Sequence, residues 1–198
     1  MKSSGQVNIH RVVNTIFNSC SYVIVNDGCT WVVDCGDVDR ILPLVEGRLD
    51  GVLLTHAHFD HCYGLNQLLA LYHNVPIYTS AVGKDTLMSD KLNLSKYYGE
   101  PFVLQFPDNV RVMEDGQHIE LFEGVSVTAV ATPGHSPCCI TWMLDDVLFT
   151  GDSLIPGVKT VTNIPHSDKA MARLSETRIR QLSDGREIYP GHAAPSEF

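Results

Sequence analysis

Within six residues, His56-Ala57-His58-Phe59-Asp60-His61, the chain gathers three imidazoles and a carboxylate, the donor types that divalent metal ions prefer. Side chains at i and i+2 of an extended stretch point the same way, so His56 and His58 can reach one ion from one side. Asp60 and His61 then turn away, and because zinc accepts only about four ligands they would serve a neighbouring second ion. Two ions need further ligands, ideally including one carboxylate able to touch both. Suitable groups follow later: His135 in Thr132-Pro133-Gly134-His135-Ser136, Asp152 in Thr150-Gly151-Asp152-Ser153, and His192 in Tyr189-Pro190-Gly191-His192, each leaving an expected strand through a glycine. The other four of the nine histidines, His10, His73, His118 and His166, stand alone and read as surface or satisfied core residues.

The elements that must position these groups can be read from pattern. Residues 9–13, 21–25 and 31–33 are β-branched runs between turns and predict consecutive antiparallel strands. Ile41, Leu42 and Val45 fall at helical spacing with Gly47 as a stop, and the apolar run 51–54 predicts a buried strand ending at Thr55. The polar cluster therefore sits on a strand-to-helix loop, before helical spacing resumes over 63–71. From Val110 a strand rhythm returns through 110–113, 118–122, 125–132, 139–144 and 147–149, which predicts a second antiparallel sheet. A helix over 167–182, capped by Ser167 or Asp168 and closed by Gly185, precedes a last strand at 187–189. Residues 80–101 carry Leu, Met and Tyr without a period, and suit either a connector or a flap over a pocket. The expected fold is α/β (α+β): one domain over residues 1–198, a four-layer αββα sandwich of two mostly antiparallel sheets with helices outside.

Length and composition set bounds. A chain of 198 residues with 44% hydrophobic and 19% charged residues can bury a core without disulfides. A net charge of −9 with scattered Lys and Arg argues against nucleic acid as partner. No segment approaches a spanning helix or a secretory signal, and six cysteines without CxxC spacing predict reduced thiols, so a cytoplasmic location is expected.

These motifs, taken together with Leu53-Leu54-Thr55 ahead of the first, resemble the metallo-β-lactamase fold and, within it, the small single-domain glyoxalase II-like hydrolases. The resemblance spans nearly the whole chain and implies two Zn2+ per chain, with Fe or Mn as substitutes. By it, His56, His58 and His135 bind the first ion, Asp60, His61 and His192 the second, and Asp152 bridges them. It also places Asp34, in Val33-Asp34-Cys35-Gly36, behind the ligand loop, though an ordinary Asx-turn residue would read the same. Cys62 and Cys138 lie beside ligands but read as buried structural thiols.

The implied chemistry is attack by a metal-bridging hydroxide on a carbonyl, with Asp60 orienting it and passing its proton to the leaving group. Among relatives, class B β-lactamases usually carry Cys or Ser at the bridging point, flavodiiron proteins carry Glu at the position of His58, and ribonuclease Z adds an RNA-gripping arm. Glyoxalase II grips glutathione with a helical C-terminal domain, whereas six residues follow His192 here. A small, anionic thioester is the expected substrate. A lactone, or a persulfide oxidised at a single iron held by two histidines and an aspartate, are the alternatives. Lys159 could meet an anionic substrate but reads as an exposed lysine. Oligomeric state is not legible.

Overall fold

The computed structural model describes residues 7–99 and 101–193, so the expectations about the first six residues and about the chain end lie outside the described residues. The first sheet contains, in spatial order, β1 (Asn8–Val13), β2 (Cys20–Asn26), β3 (Cys29–Val33), β4 (Arg48–Leu53), β5 (Ile77–Thr79) and β6 (Val110–Val112). The second contains β7 (His118–Phe122), β8 (Val125–Ala131), β9 (Ile140–Leu144) and β10 (Val147–Gly151) as a meander, with β11 (Glu187–Pro190) on the far edge.

Period-two patterning explains why the sheets stack and why helices cover them. All seven residues of β2 are buried: Tyr22 and Ile24 face the second sheet, while Val23 and Val25 face the helices. Trp31 and Val33 of β3 join the inter-sheet core and Val32 the helix side; in β10, Val147 and Phe149 point inward and Leu148 outward. The helices over the first sheet are α1 (Val38–Ile41, continued by a 3-10 turn at Leu42–Leu44), α2 (Phe59–Cys62), α3 (Leu65–Leu71) and α4 (Ala81–Leu87). They bury Val38, Ile41, Leu65, Leu68, Leu69 and Leu87 against it. The long helix α5 (Lys169–Leu182) covers the second sheet through Ile179 and Leu182, and Asp168 caps it by accepting from the amides of Ala170 and Met171. This is the expected αββα sandwich. Buried aromatics lock the layers: Trp31 Nε1 donates to Leu121 O (3.0 Å), Trp142 Nε1 to Leu54 O (2.9 Å) and Tyr22 OH to Pro190 O (2.6 Å).

The pairing is more mixed than expected. Four of the nine strand pairings are parallel: β3–β4, β4–β5, β5–β6 and β10–β11. Each follows from a helical crossover, which returns the chain in the same direction. One strand is added and one reading changes with it. Residues 77–79 form a strand too short to show a pattern, and residues 110–112 do not open the second sheet but finish the first, beside β5. Among the described residues, no helix is long and apolar enough to cross a membrane.

Candidate metal centre

All seven expected ligands converge at one end of the sandwich, beyond strand ends. His56 follows β4, and His58 is extended (φ −69°, ψ 152°) before α2 carries Asp60 and His61 onto a helical turn. That change of conformation is why the four-residue cluster divides into two directions. His135, Asp152 and His192 arrive from the ends of β8, β10 and β11. Close approach requires two glycines. Gly151 has φ +50°, and a Cβ there would lie 2.4 Å from Thr55 Oγ1; a Cβ on Gly191 would lie 2.1 Å from Asp152 Oδ1.

Two triads result. The donor atoms of His56, His58 and His135 lie within 4.8 Å of one another, as do those of Asp60, His61 and His192. Asp152 joins them: Oδ2 lies 3.4 Å from His135 Nε2 and 3.3 Å from His192 Nε2, while Oδ1 lies 3.5 Å from His61 Nε2. Asp60 Oδ2 lies 3.4 Å from His61 Nε2 and 3.3 Å from His192 Nε2.

Outer hydrogen bonds fix which ring nitrogen faces inward. His135 Nδ1 donates to Val161 O (3.0 Å), His192 Nδ1 to Phe17 O (2.9 Å) and His61 Nδ1 to Asp34 Oδ2 (3.0 Å). Thr55 Oγ1 donates to Asp34 Oδ2 (2.6 Å), so it accepts from His56 Nδ1 (3.2 Å). With Nδ1 as the outer donor on all four rings, Nε2 of each faces the centre, where His135 Nε2 meets His58 Nδ1 at 3.0 Å. His56 Nε2 and Asp152 Oδ1 are buried without a hydrogen-bond partner, and the Nε2 atoms of His61 and His192 face each other at 3.3 Å. Imidazole nitrogens and carboxylate oxygens crowded this closely, with His56 Nε2 left unpartnered, form the donor set that holds divalent cations. The residues fit metal ions.

Electrostatics separate the triads. Burial drives His56 well below the usual imidazole range and His58 down to about 3, helped by the positive charge of neighbouring rings. Burial acts the same way on His61 and His192, but Asp60 and Asp152 outweigh it, raising His61 well above its ordinary value and His192 up to about 10. Reciprocally, burial would raise the carboxyls, yet His61 and His192 hold Asp60 below its usual range and Asp152 down to about 2.

Further groups support the centre, some of them expected and some not. Asp34, at φ 54°, is buried and accepts from Thr55 N (2.7 Å) as well as Thr55 Oγ1 and His61. Its atoms also lie within metal-binding distance of His56 and His61, but both its oxygens are taken, so it orients His61 rather than ligating. Ser19 Oγ donates to Asp60 O (2.7 Å). Phe17 and Val161 contribute only carbonyls, which any residue could supply. Residues 80–101 do more than connect, because Asn93 O accepts from Phe59 N (2.8 Å) at the start of α2. Tyr98 of that segment stacks on Phe59 (6.4 Å, 12°) and meets Phe17 edge-on (5.0 Å), leaving Phe17 and Tyr98 53% and 52% exposed beside the ligand-bearing segments. The six cysteines are free, and Cys62 and Cys138 are buried and outside the metal-ligand groupings found among the described residues. Lys159 is exposed.

Comparisons with known proteins agree with this geometry. A probable metallo-hydrolase of Streptococcus pyogenes is 25% identical over 93% of this chain and 83% of its own length. The hydroxyacylglutathione hydrolase of Hahella chejuensis is 30% identical over 84% of this chain and 58% of its own, so the chain spans a little over half of that relative. Among solved structures, the B3 metallo-beta-lactamase BLEG-1 superposes with a TM-score of 0.85 at 23% identity, over 94% of this chain and 92% of its own. That likeness shows the fold. A profile of the metallo-beta-lactamase superfamily matches residues 14–192, a span that runs through all seven converging side chains, and the chain belongs to that superfamily.

Proposed function

We propose that this chain is a binuclear, zinc-dependent hydrolase that cleaves a small thioester. The observation that carries the reading is Asp152, whose two oxygens address both triads at 3.3 to 3.5 Å. His56, His58 and His135 would hold one ion, Asp60, His61 and His192 the other, and Asp152 both. When bound, such ions lower the pKa of water to roughly 7 and polarise a carbonyl. The chain's own part is to position the reactants. Asp60, fixed by His61, His192 and the Ser19 bond to its carbonyl, orients the attacking water and accepts its proton. As the C–O bond forms and the C–S bond breaks, that proton passes to the departing thiolate, giving an acid and a thiol.

Charge and shape suggest the substrate. Four positive charges from two divalent ions would outweigh the Asp60 and Asp152 carboxylates together with a bound hydroxide, which attracts an anion even in an acidic protein. Phe17 and Tyr98 offer an apolar rim for the substrate's non-reacting part. The relatives named for hydroxyacylglutathione favour a thioester. The partner is thus a small molecule rather than a nucleic acid. Six free thiols, five of them buried, fit the reducing cytoplasm.

Elemental analysis of the purified protein, together with thiol release from a panel of acyl thioesters and ring opening of lactones, tests this. Two zincs per chain and thioester cleavage are expected, with Asp152→Ala losing at least the roughly 10²–10³-fold that a single transition-state contact is worth. Preferential lactone opening would move the reaction to that class. One iron per chain, with oxygen consumed on a persulfide, would overturn the hydrolase.

A further inference from the structure

The loop between β4 and α2 is tied to neighbouring strands as far as Thr55, where Leu54 N donates to Tyr78 O (2.9 Å) and Thr55 O accepts from Ile140 N (2.7 Å). Residues 54–58 lie in neither strand nor helix, yet Ala57 is fully buried, so its backbone N–H and C=O must find partners elsewhere. Both partners are sulfurs. The amide of Ala57 donates to Cys138 Sγ (3.4 Å), and Cys62 Sγ donates to the carbonyl of Ala57 (3.7 Å). Cys138 Sγ also meets Ser136 Oγ at 3.1 Å. Ala57 stands between His56 and His58, and Ser136 follows His135. One buried sulfur therefore touches both segments that carry the three imidazoles of the first triad. Its own backbone is tied down in turn, since Ser80 Oγ donates to Cys138 O (3.1 Å).

We infer that Cys138 and Cys62 are positioning residues for the first metal site, clamping the Ala57 backbone so that His56 and His58 present their rings to the same ion as His135. This rests on the metal reading of the centre and adds to it a role that neither thiol plays as a ligand. Sulfur suits the task because its hydrogen bonds are long: an oxygen in the same place would have to approach Ala57 to about 2.9 Å to bond as well. Serine should keep part of the contact and alanine none. Valine should fill the space of Cys138 without accepting a hydrogen bond, separating packing from bonding. Loss of a contact that orients metal ligands costs typically about 10–100-fold in metal affinity. The second triad has no bond to Cys138, and it should be spared.

Stepwise zinc affinities, measured by competition with a chromophoric chelator, test the clamp without any substrate. Cys138→Ala and Cys138→Val should weaken one zinc about tenfold and leave the other unchanged, with Cys138→Ser between them and wild type. Leu69→Ala, a core truncation in α3, should lower stability without this split. Amide exchange at Ala57, read by NMR on metal-free protein, should quicken about tenfold or more in Cys138→Val relative to core amides. Unchanged affinities with unchanged Ala57 protection, or an equal loss at both sites, would overturn the clamp. A protein that binds zinc in this pattern but cleaves no thioester would overturn the proposed reaction and leave the clamp standing.

Discussion

The two triads are built from neighbouring residues yet hold opposite electrostatic characters. His56, His58 and His135 are buried imidazoles, and desolvation with mutual repulsion keeps His56 and His58 from protonating. His61 is equally buried, but with Asp60 and Asp152 beside it the balance reverses, and His192, 21% exposed, follows it upward. Burial alone thus does not set the charge of His61 and His192; Asp60 and Asp152 together, each within about 3.5 Å of both rings, decide it. The lesson for the centre is a division of labour. The first triad supplies lone pairs and little charge, and the second supplies the negative charge that would retain a cation.

The most severe way to break this contrast is to remove the ions. A strong chelator should lower Tm, since an ion present at about 100 times its Kd contributes roughly 2.7 kcal/mol. For a chain of this length that corresponds to roughly 5–10 °C by differential scanning calorimetry, restored on adding zinc. An unchanged Tm would remove the metal reading of both triads.

Asp34→Asn sharpens the contrast. The amide can no longer accept from both Thr55 and His61 as the carboxylate does, so His61 loses its fixed tautomer while His135, held by Val161 O, keeps its own. Zinc affinity should fall about 10–100-fold, chiefly at the second site. Competition titration reads this, and an equal loss at both sites would show that Asp34 supports the loop as a whole.

A smaller effect is expected at the rim. Tyr98→Ala removes the ring that bridges Phe59 and Phe17, so KM for thioesters with an apolar group should rise several-fold, in line with about 25 cal/mol per Å² of lost apolar contact, while kcat stays within twofold. Steady-state kinetics on acetyl and aryl thioesters would reveal it; equal changes for both would deny the rim any selectivity.

The smallest effect concerns a carboxylate held by hydroxyls rather than imidazoles. Burial would raise Asp37, but hydrogen bonds from Tyr63 OH, Thr15 N (2.9 Å) and Thr15 Oγ1 (3.0 Å), with Arg40 nearby, hold it below its usual range. A lowered folded pKa contributes stability above the unfolded value near 3.9, and that stability is lost as pH falls through the folded value. Asp37→Asn should cost about 1 kcal/mol at neutral pH and less in acid, so the two urea midpoints should converge below about pH 4.

Legibility followed the physics of each signal. The seven converging side chains and the four-layer sandwich could be read because their information is local: donor types at fixed spacings, and period-two patterning in β2, β3 and β10. The parallel pairings were hidden even though the helices between strands were visible, because a three-residue strand such as β5 has no period to detect and its partner is set by the crossover. The role of Asp34 stood undecided between a turn residue and a support. An Asx turn and a carboxylate under His61 look identical in one dimension.

What the sequence alone determined is therefore the chemistry available: five imidazoles and two carboxylates placed at strand ends, with glycines ahead of three of them. What only the tertiary structure decided is how that chemistry is held. The inward nitrogen of four of the five rings is chosen by Phe17 O, Val161 O, Thr55 and Asp34, and the loop between His56 and His58 is gripped by sulfurs 5 and 81 positions along the chain from Ala57. Backbone carbonyls leave no trace in residue identity, and a contact across that separation exists only once the layers have packed.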